Sequence, residues 1–219
     1  MSEKNNIKVA VIDMNNGNPN QGMRGIQEIL QNYRDKNQLN LTFDIFDIRQ
    51  KGEVPDLNYD IYISSGGPGS PFDGEQEKWE RDFFNLLDEI ESFNAENEQK
   101  KYVFLICHSQ PNEADFIEKG AEILAIEKER PHVDLERCIM AIRFSEQIIG
   151  TQFHPEADPV GMKMYLLQDE KKAAIIENHG EDKYFDMLNS LDDPDRITLT
   201  QSVILPNFLN QAIHSLQEA

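Results

Sequence analysis

The sequence predicts an α/β fold: an open, mainly parallel sheet with helices on both faces, plus a helical elaboration at its C-terminal end. Strand-like and helix-like segments alternate along roughly the first 160 residues, which is typical of such sheets. The apolar run 102–106 is uninterrupted, as expected for a strand buried on both faces. After residue 160 the sequence patterns predict helices only. We therefore expect an α/β domain over residues 1–160 and a helical extension over 161–219.

Each element follows from a local pattern. Strands are predicted where apolar or β-branched residues form a run or alternate, and helices where apolar residues recur at spacings of three and four. The predicted strands are 7–12, 41–48, 61–63, 102–106, 121–127, 139–144 and 147–153. The predicted helices are 21–33, 75–93, 112–119, 162–167, 171–178, 184–191 and 206–216.

Two of these helices carry clear apolar stripes. In the helix over 75–93 the stripe indicates core packing rather than a ligand site, and it consists of Trp79, Phe83, Leu86, Leu87 and Ile90. The last helix is predicted to begin with Pro206 in its first turn and to pack on the core. Its inward residues are Phe208, Leu209, Ala212, Ile213 and Leu216.

Composition restricts the function. The formal net charge of −19 opposes nucleic acid and anionic membrane as partners. No apolar stretch approaches the roughly 20 residues of a membrane helix, and no signal peptide is visible, so we expect a cytoplasmic protein. Two cysteines do not make a disulfide framework. Cys138, which precedes an apolar run, is a better candidate than Cys107 for a buried structural cysteine.

Cys107, His154 and Glu156 each follow a predicted strand. A thiol becomes a nucleophile when a base takes its proton, and the base acts best when a third group orients it. Positions i and i+2 of an extended segment point the same way, so Glu156 is placed to orient His154. Ligands bind at the carboxyl ends of parallel strands, where both Cys107 and a glycine-rich turn at 65–69 are expected.

Three segments resemble the class I glutamine amidotransferases, which hydrolyse glutamine to glutamate and ammonia. Residues 65–69 (Ser-Gly-Gly-Pro-Gly) look like the family's glycine turn, and 104–109 (Phe-Leu-Ile-Cys-His-Ser) look like its nucleophile turn. Residues 150–156 (Gly-Thr-Gln-Phe-His-Pro-Glu) are similar to its histidine motif. The order of the three along the chain also agrees.

The resemblance assigns roles to individual residues. It implies Cys107 as nucleophile, His154 as base and Glu156 as the orienting carboxylate of a Cys-His-Glu triad. It also implies an oxyanion hole made by the backbone N–H groups of Gly67 and His108, with Gly66 and Gly67 lining the substrate site. No cofactor or metal is implied. The glycine turn lacks the aspartate of an ATP-pyrophosphatase loop and the end of a Walker loop, so we expect no nucleotide there. A synthetase using the ammonia would be a separate protein.

Two departures from the family accompany the resemblance. Leu105 stands where the family usually has glycine, two residues before the nucleophile. The chain between Cys107 and His154 is also about half the length that the family leads us to expect. Either the protein carries a natural deletion that damages the site, or a disordered segment is missing from the sequence near Gln110 and Pro111. We favour the missing segment and expect a break in the backbone within residues 108–113.

Two further functions remain open. A γ-glutamyl hydrolase or peptidase would use the same triad on a longer substrate than glutamine. A degenerate amidotransferase fold could instead be kept only for binding a partner.

Overall fold

A computed structural model describes residues 6–68, 77–107, 117–118, 120–129 and 137–218 of the chain. The helix predicted over 112–119 lies largely outside these ranges. The break expected within residues 108–113 also lies outside them and stays a prediction.

The seven strands found in the described residues form one sheet in the order β2-β1-β3-β4-β7-β6-β5. They are β1 Ile7–Asp13, β2 Leu41–Asp47, β3 Ile61–Ser64, β4 Tyr102–Ile106, β5 Glu122–Ile126, β6 Ile139–Arg143 and β7 Ile148–Thr151. The pairs from β2 to β7 are parallel, and β6 pairs antiparallel with β7 and with β5. The predicted α/β fold with a mainly parallel sheet is confirmed. Every residue of β3 and β4 is buried, so both faces of the central strands are covered.

In the described ranges six helices accompany the sheet, and the last of them is long. They are α1 Gln21–Asn37, α2 Lys78–Glu96, α3 Pro159–Leu166, α4 Asp169–His179, α5 Glu181–Asn189 and α6 Leu199–Glu218. A short 3-10 turn, Ser190–Asp192, follows α5. No helix in the described ranges is long and apolar enough to cross a membrane.

The chain divides into two compact units. The first consists of Met1–Pro19, Asn37–His154 and Asn210–Ala219 and contains the whole sheet. Its core includes the apolar stripe of α2: Phe83, Leu86 and Ile90 are buried with Ala10, Val103 and other strand residues. Trp79 and Leu87 pack against the same cluster, so the prediction that this stripe is core is confirmed.

The second unit consists of Asn20–Lys36 and Pro155–Leu209. Leu166, Tyr184 and Leu191 form its small core. The Tyr184 hydroxyl donates a hydrogen bond to the Leu166 carbonyl at 3.1 Å, which satisfies the polar end of a ring that is only 2% exposed. The helices predicted between 162 and 191 correspond to α3, α4 and α5, with shifted ends.

The predicted start of the last helix is wrong. The helix begins at Leu199, and Pro206 lies inside it rather than in its first turn. Proline within a helix removes one main-chain hydrogen bond, so this position carries a cost. That cost is offset by burial on both sides of the proline, because Leu205 and Leu209 are fully buried. The predicted inward residues, from Phe208 to Leu216, are all buried.

Candidate active site at the carboxyl ends of β1, β3 and β4

The glycine turn begins where β3 ends, and hydrogen bonds tie it to the end of β1. The Ser65 amide donates to the Ile12 carbonyl at 2.9 Å, and the Met14 amide donates to Ser65 Oγ at 3.0 Å. Asn15 Nδ2 donates to Asp13 Oδ1 at 2.7 Å, which orders the loop after β1. Ser65 and Asn15 are both buried, so these bonds are shielded from water.

Gly67 is in close contact with this loop. A Cβ built on Gly67 would overlap the main-chain oxygen of Met14, so only glycine fits while both segments keep their places. The sequence predicted a turn here, but the partner of that turn was not visible from it.

Cys107 follows the last residue of β4 and has a φ of 55°, in the left-handed region. Few residues other than glycine adopt this conformation, and it is a common feature of a nucleophile held on a sharp turn after a strand. The side chain is half-buried. The predicted turn therefore begins at Cys107 itself.

Gly66 is the point at which Cys107 and His154 meet. A Cβ built on Gly66 would lie 2.7 Å from His154 Cε1 and 2.8 Å from Cys107 Cβ. Both side chains therefore lie against Gly66, and His154 Cε1 and Cys107 Cβ are close to each other. His154 comes three residues after β7, which pairs directly with β4, so neighbouring strands deliver the thiol and the imidazole to one end of the sheet. The His154 residue is exposed, so the ring is accessible from solvent.

Leu105 is accommodated by the neighbouring strand. It pairs with Gly150 of β7, and a Cβ on Gly150 would lie 3.8 Å from Leu105 Cβ and 3.1 Å from the Phe144 ring. Leu105 is 3% exposed and belongs to the core of the first unit. The bulk that departs from the family pattern therefore packs in the core.

Glu156 belongs to the second unit and is 2% exposed. Two glycines of α1 make room for it: a Cβ on Gly25 would overlap its main-chain oxygen, and a Cβ on Gly22 would lie 2.7 Å from its Oε1. The extended conformation assumed for residues 152–156 is not found, since residues 155 and 156 form a turn. The turn is compatible with the close contact to α1. The orienting role of Glu156 stays a prediction.

Arg24 and Asp158 hold the segment after Glu156 in place. Arg24 Nη2 donates to Asp158 Oδ2 at 2.6 Å, and Asp158 Oδ1 accepts the Gly161 amide at 2.5 Å as the N-cap of α3. Hydrogen bonds to Glu28 and Asp158 raise the pKa of Arg24. The sequence did not indicate that Gly22, Gly25, Arg24 and Asp158 belong to this part of the site. Two glycines within one predicted helix were the available signal, because glycine weakens a helix unless it has a packing reason.

Two residues considered in the sequence remain, His108 and Cys138. His108, the second proposed oxyanion donor, lies outside the described residues. Cys138 is exposed, so the prediction that it is buried is wrong. It precedes β6, and its amide donates to Glu127 Oε2 at 3.3 Å beyond the last paired residues of β5 and β6. Over the described ranges, no group of three or more His, Cys, Asp or Glu residues is placed to hold a metal ion.

Solved structures provide the comparison with known proteins. A glutamine amidotransferase from Thermotoga maritima matches with a TM-score of 0.55 at 16% identity, over 94% of this chain and 98% of that chain. The chain shares the fold of that enzyme. The protein SMU.1228c matches with a TM-score of 0.51 at 14% identity, over 94% of this chain and 99% of its own. No protein-family model matches the sequence, and no curated sequence matches it.

Proposed function

We propose that the protein hydrolyses glutamine to glutamate and ammonia, in the manner of a glutamine amidotransferase, through a thioester on Cys107. The observation that carries this proposal is the convergence of Cys107 and His154 on Gly66. The fold shared with an amidotransferase supports it. The left-handed backbone of Cys107 is a second support, because a protein retains such strain where a side chain must be presented.

In the proposed first half-reaction, Cys107 Sγ attacks the side-chain amide carbon of glutamine and His154 takes the thiol proton. The tetrahedral intermediate then collapses, the C–N bond breaks, and His154 passes that proton to the leaving nitrogen, which departs as ammonia. Water attacks the resulting thioester with His154 again as base. Glutamate is released and the thiol is restored, so one glutamine and one water give one glutamate and one ammonia.

Backbone N–H groups are proposed to stabilise the negative charge on the tetrahedral intermediate. Preorganised donors of this kind are often the largest single contribution to acyl transfer. Gly67, fixed against Met14, would supply one donor, and His108 would supply the other, with Gly66 lining the substrate site. Glu156 is proposed to orient His154, and its burial suits a carboxylate held in one place.

The acceptor of the ammonia is proposed to be a substrate of a separate synthetase. The acceptor would need its own binding pocket beside the thiol only if both reactions took place in this chain. Hydrolysis at Cys107 requires only glutamine and water.

The test is release of ammonia from glutamine by the full-length protein. We expect Cys107→Ser to remain folded and to lose turnover, and Cys138→Ser to match the wild type, since Cys138 is an exposed thiol outside the proposed triad. Glu156→Gln should lose less than Cys107→Ser, because orientation is only part of the function of the base. A diazoketone analogue of glutamine should alkylate Cys107 and spare Cys138, as read by peptide mass spectrometry.

Other outcomes would decide against glutamine as substrate. Turnover of γ-glutamyl peptides without turnover of glutamine would indicate the hydrolase function. Wild-type turnover in Cys107→Ser would refute the nucleophile, and the absence of both turnover and alkylation would indicate a binding protein.

A further inference from the structure

Arg49 links the two segments that meet at Gly67. Its Nη1 donates to the Met14 carbonyl at 3.2 Å and to the Pro68 carbonyl at 2.9 Å. Met14 follows β1 and Pro68 follows Gly67, so one guanidinium nitrogen joins the loop after β1 to the glycine turn. Both N–H bonds of Nη1 are engaged in this link.

The guanidinium is itself held by an aromatic ring. Arg49 Cζ lies 4.7 Å from the centroid of the Trp79 ring. Trp79 is on α2 and packs against the core of the first unit, so the ring is a fixed surface. A cation above an aromatic face is attracted by the ring's electrons, which keeps the guanidinium in place.

The glycine turn needs such a link for a conformational reason. Two consecutive glycines, Gly66 and Gly67, allow many backbone conformations, whereas an oxyanion donor must be fixed in one. The Met14 oxygen that accepts from Arg49 is also the atom that a Cβ on Gly67 would overlap. Arg49 therefore fixes the surface against which Gly67 rests and, through Pro68, the peptide that follows it.

We infer that Arg49 is a positioning residue for the proposed glutamine hydrolysis: its guanidinium holds the Gly67 N–H in the direction of the oxyanion. This inference rests on the proposed function, but the link from Arg49 to the glycine turn can be tested without measuring turnover. Arg49 does not touch the reacting atoms in this scheme. Its effect is exerted on the tetrahedral intermediate through the backbone of Gly67.

Arg49→Met is the main variant, because methionine keeps an unbranched apolar stem beside Trp79 and removes both donors. We expect kcat to fall about ten- to hundredfold with KM within about twofold, since a displaced donor costs less than the loss of a donor. Arg49→Lys should recover part of the loss because an ammonium can still donate to the two carbonyls. Trp79→Leu should give an intermediate loss, and Arg34→Met, which removes an arginine on α1, should match the wild type.

Two inhibitors separate positioning from a general structural effect. An aldehyde analogue of glutamine forms a thiohemiacetal whose oxygen needs the oxyanion donors, so Arg49→Met should weaken its inhibition by about the same factor as kcat. Iodoacetamide alkylates the thiol by displacement and needs no oxyanion, so its rate at Cys107 should stay within about twofold of the wild type. Equal losses with both reagents would overturn the inference.

Amide hydrogen exchange tests the geometry without catalysis. Exchange over residues 65–67 should be faster in Arg49→Met than in the wild type, with little change in the strands. Unchanged exchange would overturn the inference whatever the activity. A wild type without turnover would refute the proposed function alone, since exchange still reports on the link. If Arg49→Met does not fold, Arg49→Lys and Trp79→Leu carry the same comparisons.

Discussion

Gly25 lies directly against the main-chain carbonyl of Glu156, so closely that a Cβ at this position would overlap the oxygen. Gly25 is within α1, where glycine costs about 1 kcal/mol relative to alanine. Glycine therefore makes α1 less stable at this point, but it allows the main chain at Glu156 to pack closely against the helix.

Gly25→Ala should therefore reverse the usual effect of alanine in a helix. We expect the free energy of unfolding to fall by about 1–3 kcal/mol, because the added methyl group must displace main-chain atoms rather than a flexible side chain. Urea denaturation measures this. Asn32→Ala is the control, since Asn32 is exposed on the same helix and should change stability by no more than about 0.5 kcal/mol. A Gly25→Ala protein more stable than the wild type would refute the contact.

The left-handed conformation of Cys107 should also reverse the usual order of stability between alanine and glycine. An L-residue in this region carries a cost of about 1–2 kcal/mol that glycine avoids. Cys107→Gly should therefore be more stable than Cys107→Ala by about 1 kcal/mol, although both lack the thiol. In Ala173→Gly, at an exposed position of α4, glycine should instead lower stability by about 1 kcal/mol. Equal stabilities of the two Cys107 variants would contradict the strained backbone.

The sequence located the elements of the candidate site because two simple rules apply to them. Apolar runs identify buried strands, and the residues that follow parallel strands share one end of the sheet. These rules place Cys107 after β4 and His154 after β7 at one end of the sheet. That β4 and β7 are neighbours is a finding of the structure, in which Leu105 pairs with Gly150.

Contacts between residues far apart in sequence were beyond these rules. Gly25 could be recognised only as a weak helix former, because its partner at Glu156 is distant along the chain. Pro206 was expected to begin a helix for a similar reason: local preference favours proline in a first turn, and the burial of Leu205 before it was not visible from the sequence. In both cases tertiary packing outweighed local propensity.

Arg24 and Asp158 form a partly buried ion pair, with side chains 34% and 9% exposed. A double-mutant cycle with Arg24→Met and Asp158→Asn should give a coupling energy of about 0.5–1 kcal/mol, since the asparagine can still cap α3 while the charge is lost. Asp158→Ala should cost about 1 kcal/mol more than Asp158→Asn, because it also removes the cap. Thermal or urea unfolding measures both effects. Strict additivity of the first two substitutions would show that the pair contributes nothing.

Tyr59 gives a prediction at alkaline pH. Burial, the hydrogen bond to Asp44 and the charges of Asp44 and Asp56 raise its pKa to about 12 from 10.0. Its hydroxyl donates to Asp44 Oδ2 at 2.9 Å. Since the folded-state pKa is above the unfolded-state value, the contribution of Tyr59 to stability is constant below pH about 10 and is lost as the pH rises through about 12.

The measurement is a comparison of stability against pH for the wild type and Tyr59→Phe. The difference between the two proteins should be flat below pH about 10 and should change above it, because phenylalanine does not ionise. Asp44→Asn should lower the pKa of Tyr59, as read from phenolate absorbance against the Tyr59→Phe background. A difference that is flat across the whole alkaline range would exclude the shifted pKa.

Gly66→Ala tests whether Cys107 and His154 act together. The added Cβ would lie 2.7 Å from His154 Cε1 and 2.8 Å from Cys107 Cβ, closer than side-chain carbons approach one another, so one of the two must move. The backbone of β4 holds Cys107, and we expect the exposed His154 ring to give way. A displacement of about 1 Å can cost a factor of about a hundred in rate. Ammonia release should fall by about that factor, while the unfolding transition remains cooperative.

Gly52→Ala is the matched control for Gly66→Ala. Gly52 has a φ of 66° and a Cβ there would meet nothing within 4 Å, so alanine adds strain without a clash. This variant should lose about 1 kcal/mol of stability and keep its kcat, whereas Gly66→Ala should lose kcat out of proportion to its stability. If Gly66→Ala instead kept its turnover, His154 would not be the base for Cys107. Alkylation of Cys107 by iodoacetamide, followed against pH in both variants, would then show whether any ionisable group still activates the thiol.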